Sequence, residues 1–91
     1  MKLNKRQWLA LRALADETPR RYGGVSVGQV QAVLVKAGVV KRTMFSVHGV
    51  HNTCRSLMDR GLAKPLYGYG TATPNYEITV EGIEALRLAD G

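Results

Sequence analysis

Residues 43–62 read Thr43-Met44-Phe45-Ser46-Val47-His48-Gly49-Val50-His51-Asn52-Thr53-Cys54-Arg55-Ser56-Leu57-Met58-Asp59-Arg60-Gly61-Leu62, and the rest of the chain is organised around them. Val47, Val50, Cys54, Leu57 and Met58 fall, at about 100° per residue, within one stripe of an α-helix. Ser46 stands where an N-cap hydroxyl is needed, and Thr43 offers a start one turn earlier. Gly61 follows the last periodic residue, where a left-handed position needs no Cβ, and Leu62 then folds back onto Leu57. The opposite face carries His48, Asn52, Arg55, Ser56 and Asp59, with Gly49 and His51 on its flanks. An apolar back and a hydrogen-bonding front predict a helix that reads DNA.

Working outward toward the N-terminus, Ser26 and Gln29 form a capping-box pair that opens a helix running to Ala37. Val27, Val30, Val33, Leu34 and Ala37 share one face, and Gly38 ends the element. Val39 to Arg42 is a short connection, so the two helices make a helix-turn-helix pattern. Further upstream, Asn4 caps a first helix extending to about Asp16. Trp8, Leu11 and Ala15 mark its buried stripe with Leu14 at one edge, which leaves Leu9 and Ala13 on the far side between Arg6 and Arg12. Thr18 to Gly24, with a proline, a basic pair and two glycines, is a connection, and Val25 adds a single short strand.

Downstream of Gly61 the period changes to two. Leu62, Lys64 and Leu66 alternate with Ala63, Pro65 and Tyr67, which reads as a strand that Pro65 confines to an edge or a non-donating position. Gly68 to Asn75 is a turn-rich tip, and Tyr76, Ile78 and Val80 alternate with Glu77 and Thr79 as the return strand. Thr79 caps a final short helix with Ile83 and Leu86 inward, and Leu57 is expected to pack against Val30, Trp8 and Ile83. The predicted class is α+β, mainly α: three helices, a two-stranded hairpin and a short C-terminal helix in one domain spanning residues 1–91.

Leu57-Met58-Asp59-Arg60-Gly61-Leu62, then the hairpin, then Tyr76-Glu77-Ile78-Thr79-Val80-Glu81-Gly82-Ile83-Glu84-Ala85-Leu86 resembles the winged helix-turn-helix regulators of the PadR and MarR type. Their pattern is L-x-x-x-G-L, a wing, then Y-x-L-T-x-x-G-x-x-x-L, with Ile78 here in place of the usual leucine. The resemblance implies a third helix in the major groove and a wing along the neighbouring backbone or minor groove. Two features depart from the pattern. The tip from Tyr67 to Asn75 contains no Lys or Arg, and the sequence stops about ten residues into the last helix, where relatives dimerise through longer ones.

Charge distribution points the same way. Net charge is +6, but residues 1–64 hold twelve of the thirteen basic and three of the seven acidic residues, a net +9, leaving −3 for residues 65–91. A one-sided basic field attracts polyanions, although a solubilising surface has the same composition. A single cysteine excludes an intramolecular disulfide framework. The start Met1-Lys2-Leu3-Asn4-Lys5-Arg6 is too polar for a signal peptide, and no apolar run reaches membrane-spanning length, so a cytoplasmic protein is expected.

The residues expected to meet bases are Ser46, His48, Gly49, His51, Asn52, Arg55 and Ser56, because Arg pairs bidentately with guanine and Asn with adenine. Gly49 is expected to admit close approach of either DNA or the second helix. Phosphate contacts are expected at Lys41, Arg42, Thr43, Lys64, Arg20 and Arg21, with Lys5 and Arg6 in a second rank. Tyr67, Tyr69, Thr71, Thr73 and Asn75 would serve the wing through hydrogen bonds, and the tyrosines suit packing on the hairpin or protein contact equally well. Leu9, Ala13, Ala85 and Leu88 form the expected homodimer surface. His48, His51 and Cys54 have a spacing that raises the question of a metal, but His48 points away from the stripe holding Cys54. No cofactor and no catalytic constellation is expected, so the chain reads as a DNA-binding regulator rather than an enzyme. The alternative reading is a winged helix that binds protein, as an adaptor or inhibitor.

Overall fold

Local capping chemistry sets where each helix begins. In the computed structural model, which describes residues 2–20, 23–67 and 74–90, α1 spans Lys5–Glu17, α2 Val27–Lys36, α3 Met44–Asp59 and α4 Val80–Asp90. Asn4 and Gln7 exchange side-chain-to-backbone hydrogen bonds of 2.8 and 2.9 Å at the start of α1. Ser26 and Gln29 do the same for α2. At α3 the cap is Thr43, one turn before Ser46. Ser46 is instead the third helical residue, and its hydroxyl accepts from the Thr43 N–H at 3.4 Å. Thr79 caps α4, accepting from the Gly82 N–H at 3.0 Å while donating to the Gly61 carbonyl at 2.7 Å. Each cap satisfies donors that a helix start leaves without intrahelical partners.

Two helices stop by the same device. Gly38 and Gly61 have φ of 75° and 76°. The residue after each glycine sends its N–H back to the third-last turn position, Val39 to Leu34 and Leu62 to Leu57, both at 3.0 Å. Gly61 thereby delivers Leu62 into the core and starts β1, Ala63–Leu66.

β1 pairs antiparallel with β2, Asn75–Ile78, with Pro65 opposite Tyr76 and Lys64 opposite Glu77. Tyr76 spends both of its backbone groups on Val25 on its other side, at 2.7 and 2.8 Å. The Tyr76–Pro65 pair therefore exchanges no hydrogen bonds, and proline loses nothing there. Val25 makes the single extra bridge expected of it.

Among the described residues the chain is thus α+β and mainly helical, with four α-helices and one two-stranded hairpin. Its Cα radius of gyration is 12.2 Å, against about 12 Å for a compact chain of this length. α1 packs against α2, α3, α4 and β2, and α3 lies across α1, α2 and β1. Leu11, Leu14, Val30, Leu34, Val50, Leu57 and Tyr76 form the centre of the core.

Three helix faces differ from the sequence reading. α1 buries Ala10, Leu11, Ala13 and Leu14, while Trp8 and Leu9 are only partly covered. The helix is enclosed on several sides, and small Ala10 and Ala13 let neighbouring axes come close. Ala13, at 2% exposure, is therefore core and not surface. In α3 the inner face includes Thr53 rather than Val47, which is 37% exposed. The Thr53 hydroxyl is satisfied by the Gly49 carbonyl at 2.9 Å, so its burial leaves no polar group stranded. In α4 Val80 is the first helical residue, not a strand residue, and Gly82 and Leu86 point inward. Ile83 is 54% exposed and takes no part in packing Leu57.

Candidate nucleic-acid interface

The outward side of α3 is a stripe of His48, Asn52, Arg55 and Asp59, all exposed and spaced four, three and four residues apart. Helical geometry puts that spacing on one line. Other sides of α3 pack against α1, α2 and β1. Three of the four side chains are donors or acceptors that suit base edges or phosphate, and Asp59 at the C-terminal end is the one anion.

The other expected base contacts have different positions. Ser46 accepts a 2.6 Å hydrogen bond from Gln31 Nε2 and donates to the Thr43 carbonyl at 2.9 Å. Ser56 accepts from Gln7 Nε2 at 3.0 Å and donates to the Thr53 carbonyl at 2.7 Å. For either serine to reach a base, two bonds worth about 0.5–1.5 kcal/mol each are exchanged for one of similar value. They are better placed as clasps: Gln31 ties α2 to the start of α3, and Gln7 ties α1 to its later turns. His51 is half-buried with its ring 6.2 Å from that of Tyr76, and Nδ1 is enclosed without a hydrogen-bond partner among the described residues. It is a packing residue. Gly49 lies under α1, not against α2, since a Cβ built on it would come within 3.4 Å of Arg6 Nη1.

Lys41, Arg42 and Thr43 are exposed just ahead of α3, where the helix N-terminus adds partial positive charge. Lys64 is exposed on β1 and paired across the hairpin with Glu77 at 3.5 Å, an exposed pair that contributes little and yields readily to a phosphate. Tyr67 is exposed at the end of β1. Asn75, by contrast, is engaged within the chain, its Nδ2 donating to the Gly23 carbonyl at 3.1 Å. Arg21, Tyr69, Thr71 and Thr73, and the side chain of Arg20, lie outside the described residues.

Cys54 is fully buried, and burial pushes its thiol pKa up to about 12. Among the described residues no three His, Cys, Asp or Glu side chains are grouped to hold an ion, and no helix is long and apolar enough to cross a membrane.

The expected dimer surface is redrawn by the fold. Ala13 is inside, and Leu9 and Ala85 are partly buried against the core. On α4 Val80, Ile83 and Leu88 remain exposed; Val80 and Leu88 line a groove with Trp8, Ala85, Glu81 and Glu84, while Ile83 borders a separate hollow beside Thr18 and Pro19. Sequence reasoning missed Gln7 and Gln31 as clasps. Asn4 followed by Gln7 signalled the cap of α1, but nothing local signalled that the same glutamine also reaches Ser56.

No protein-family model matches this chain, and neither a curated protein nor a solved structure matches it.

Proposed function

We propose that the protein is a winged helix-turn-helix, sequence-specific, double-stranded DNA-binding regulator, with α3 as the recognition helix and the β1–β2 hairpin as the wing. The observation that carries this reading is the exposed His48–Asn52–Arg55 line on a helix that packs against α1, α2 and β1, with Lys41 and Arg42 leading into it. An α-helix fits the major groove, about 12 Å wide, and these residue types match base edges there. The strongly basic residues 1–64 supply attraction for the phosphate backbone. On this reading the protein acts in the cytoplasm by occupancy, without chemistry of its own, and as a homodimer through α4. Selection from random duplex DNA at two salt concentrations tests it. Enrichment of one sequence is the expected result. Salt-sensitive binding with no enrichment would reduce the protein to a nonspecific coat, and no binding at all would remove the proposal.

The protein-binding reading keeps one observation of its own, the apolar residues Val80, Ile83 and Leu88 exposed on α4. It is compatible with DNA binding by α3, because α4 packs chiefly on α1.

A further inference from the structure

Arg6 has an unusual position for a charged residue near the start of a helix. Its guanidinium lies across α3, with Nη1 3.4 Å from where a Gly49 side chain would begin. The side chain is half-covered, yet no hydrogen bond or ion pair engages it among the described residues. The neighbouring Gln7 bonds Ser56 at 3.0 Å, which fixes the register of α1 against α3 at this point. Gly49, Asn52 and Ser56 are three and four residues apart, so they form one flank of α3 that borders the exposed line at Asn52. Arg6 is thus delivered by a different helix to the edge of the face proposed to meet DNA.

We propose that Arg6 seats one backbone phosphate of the duplex beside the α3 line, making the interface a composite of α1 and α3. This rests on the DNA-binding reading above. A guanidinium presents a planar fork of donors that matches phosphate oxygens, remains charged at any relevant pH, and sheds water more easily than an ammonium. Phosphate is the ligand because Arg6 flanks the exposed line instead of standing on it. Base edges lie in front of His48, Asn52 and Arg55, and the strand backbone borders them. Lys41 and Arg42 precede α3 while Arg6 flanks its middle, so the helix has cations at two separate places along its length. Two such places fix an orientation in the groove, which one cluster does not. The missing Gly49 side chain leaves the space over which the Arg6 side chain lies.

The test uses the full chain and the best duplex from selection, with affinity followed from about 50 to 200 mM salt, and each variant's melting curve recorded. Each phosphate contact contributes about 0.9 to the slope of log affinity against log salt. Arg6→Gln should flatten the slope by that amount, so that affinity falls roughly threefold less over the same salt range, with the selected sequence unchanged. Arg6→Lys should keep the slope. A folded Arg6→Gln protein with an unaltered slope overturns the inference. So does a change in preferred base with an unaltered slope, which would make Arg6 a reader of sequence. Failure of the unmodified protein to bind duplex DNA is a different result and strikes the functional reading itself.

Discussion

Gly49 and Gly82 both stand within helices, where glycine is about 1 kcal/mol less favourable than alanine, but their surroundings give opposite predictions. A Cβ on Gly82 would meet Ile78 Cγ1 at 2.7 Å and Leu11 Cδ1 at 3.2 Å, and the Leu62 carbonyl oxygen closer still. A backbone oxygen cannot step aside as a side chain can, so Gly82→Ala should destabilise by about 1–3 kcal/mol as α4 is pushed off the hairpin. At Gly49 the nearest atom is the far end of flexible Arg6, at 3.4 Å. Gly49→Ala should therefore raise stability, by at most about 1 kcal/mol. Thermal melts of the two variants check both signs; equal shifts would mean that α4 does not approach Leu62 as closely as the structure places it. Cys54 gives a third expectation at this scale. With its thiol buried and its pKa near 12, the thiolate fraction at pH 8 is negligible, so a thiol reagent should label the native protein only as fast as it unfolds. Prompt labelling of folded protein at pH 8 would contradict the burial of that residue.

At the scale of the element, α3 separates two kinds of contact. Asn52→Ala or Arg55→Ala should cost about 1–3 kcal/mol at one base position and relax preference there. Lys41→Ala and Arg42→Ala should weaken all sequences alike and each reduce the salt slope by about 0.9. Selection repeated with all four variants decides between them, and four losses of affinity without any altered preference would end the assignment of direct readout. Ser46→Ala and Ser56→Ala belong with neither group, since each removes a clasp to a glutamine.

The elements differ in how far sequence alone revealed them. α2 was legible almost to its ends because Ser26, Gln29 and Gly38 act within one turn of themselves. α3 gained a turn because Thr43 and Ser46 are both capping residues, and only their mutual bonds show which is first. The inner faces of α1 and α4 were misread for a shared reason. Both helices carry apolar residues on more than one side, so periodicity does not select a face. Packing across long sequence separations selects it: Ala13 goes inside because neighbours enclose α1, and Ile83 goes outside because Gly82 must touch Leu62. The candidate site follows the same rule. The exposed line could be read from spacing, whereas the capture of Ser46, Ser56 and His51 by other elements could not.

At the scale of the whole molecule, charge is divided along the chain. Residues 1–64 carry +9 and residues 65–91 carry −3, and of the five large apolar residues exposed among the described residues three, Val80, Ile83 and Leu88, lie on α4. One recognition helix covers only a few base pairs, so useful specificity calls for two half-sites about one DNA turn apart and hence two copies of the chain. The surface available for pairing is α4, because Ala13 is consumed by the core and Leu9 is half-covered. Charge adds nothing to that pairing, because Arg87 is already bonded to Glu84 of its own helix. Antiparallel pairing about a two-fold axis brings Val80 of each copy toward Leu88 of the other and covers both. Val80 is 79% and Leu88 66% exposed, so Val80→Glu with Leu88→Glu removes apolar surface without opening the core. The double variant should melt like the unmodified protein, sediment as a monomer, and lose affinity for paired half-sites while keeping its affinity for a single one. The unmodified protein at micromolar concentration should sediment at twice the chain mass of 10.0 kDa. A 10.0 kDa species at every concentration, with one protomer on each DNA site, would leave the exposed face of α4 without a second copy to cover it.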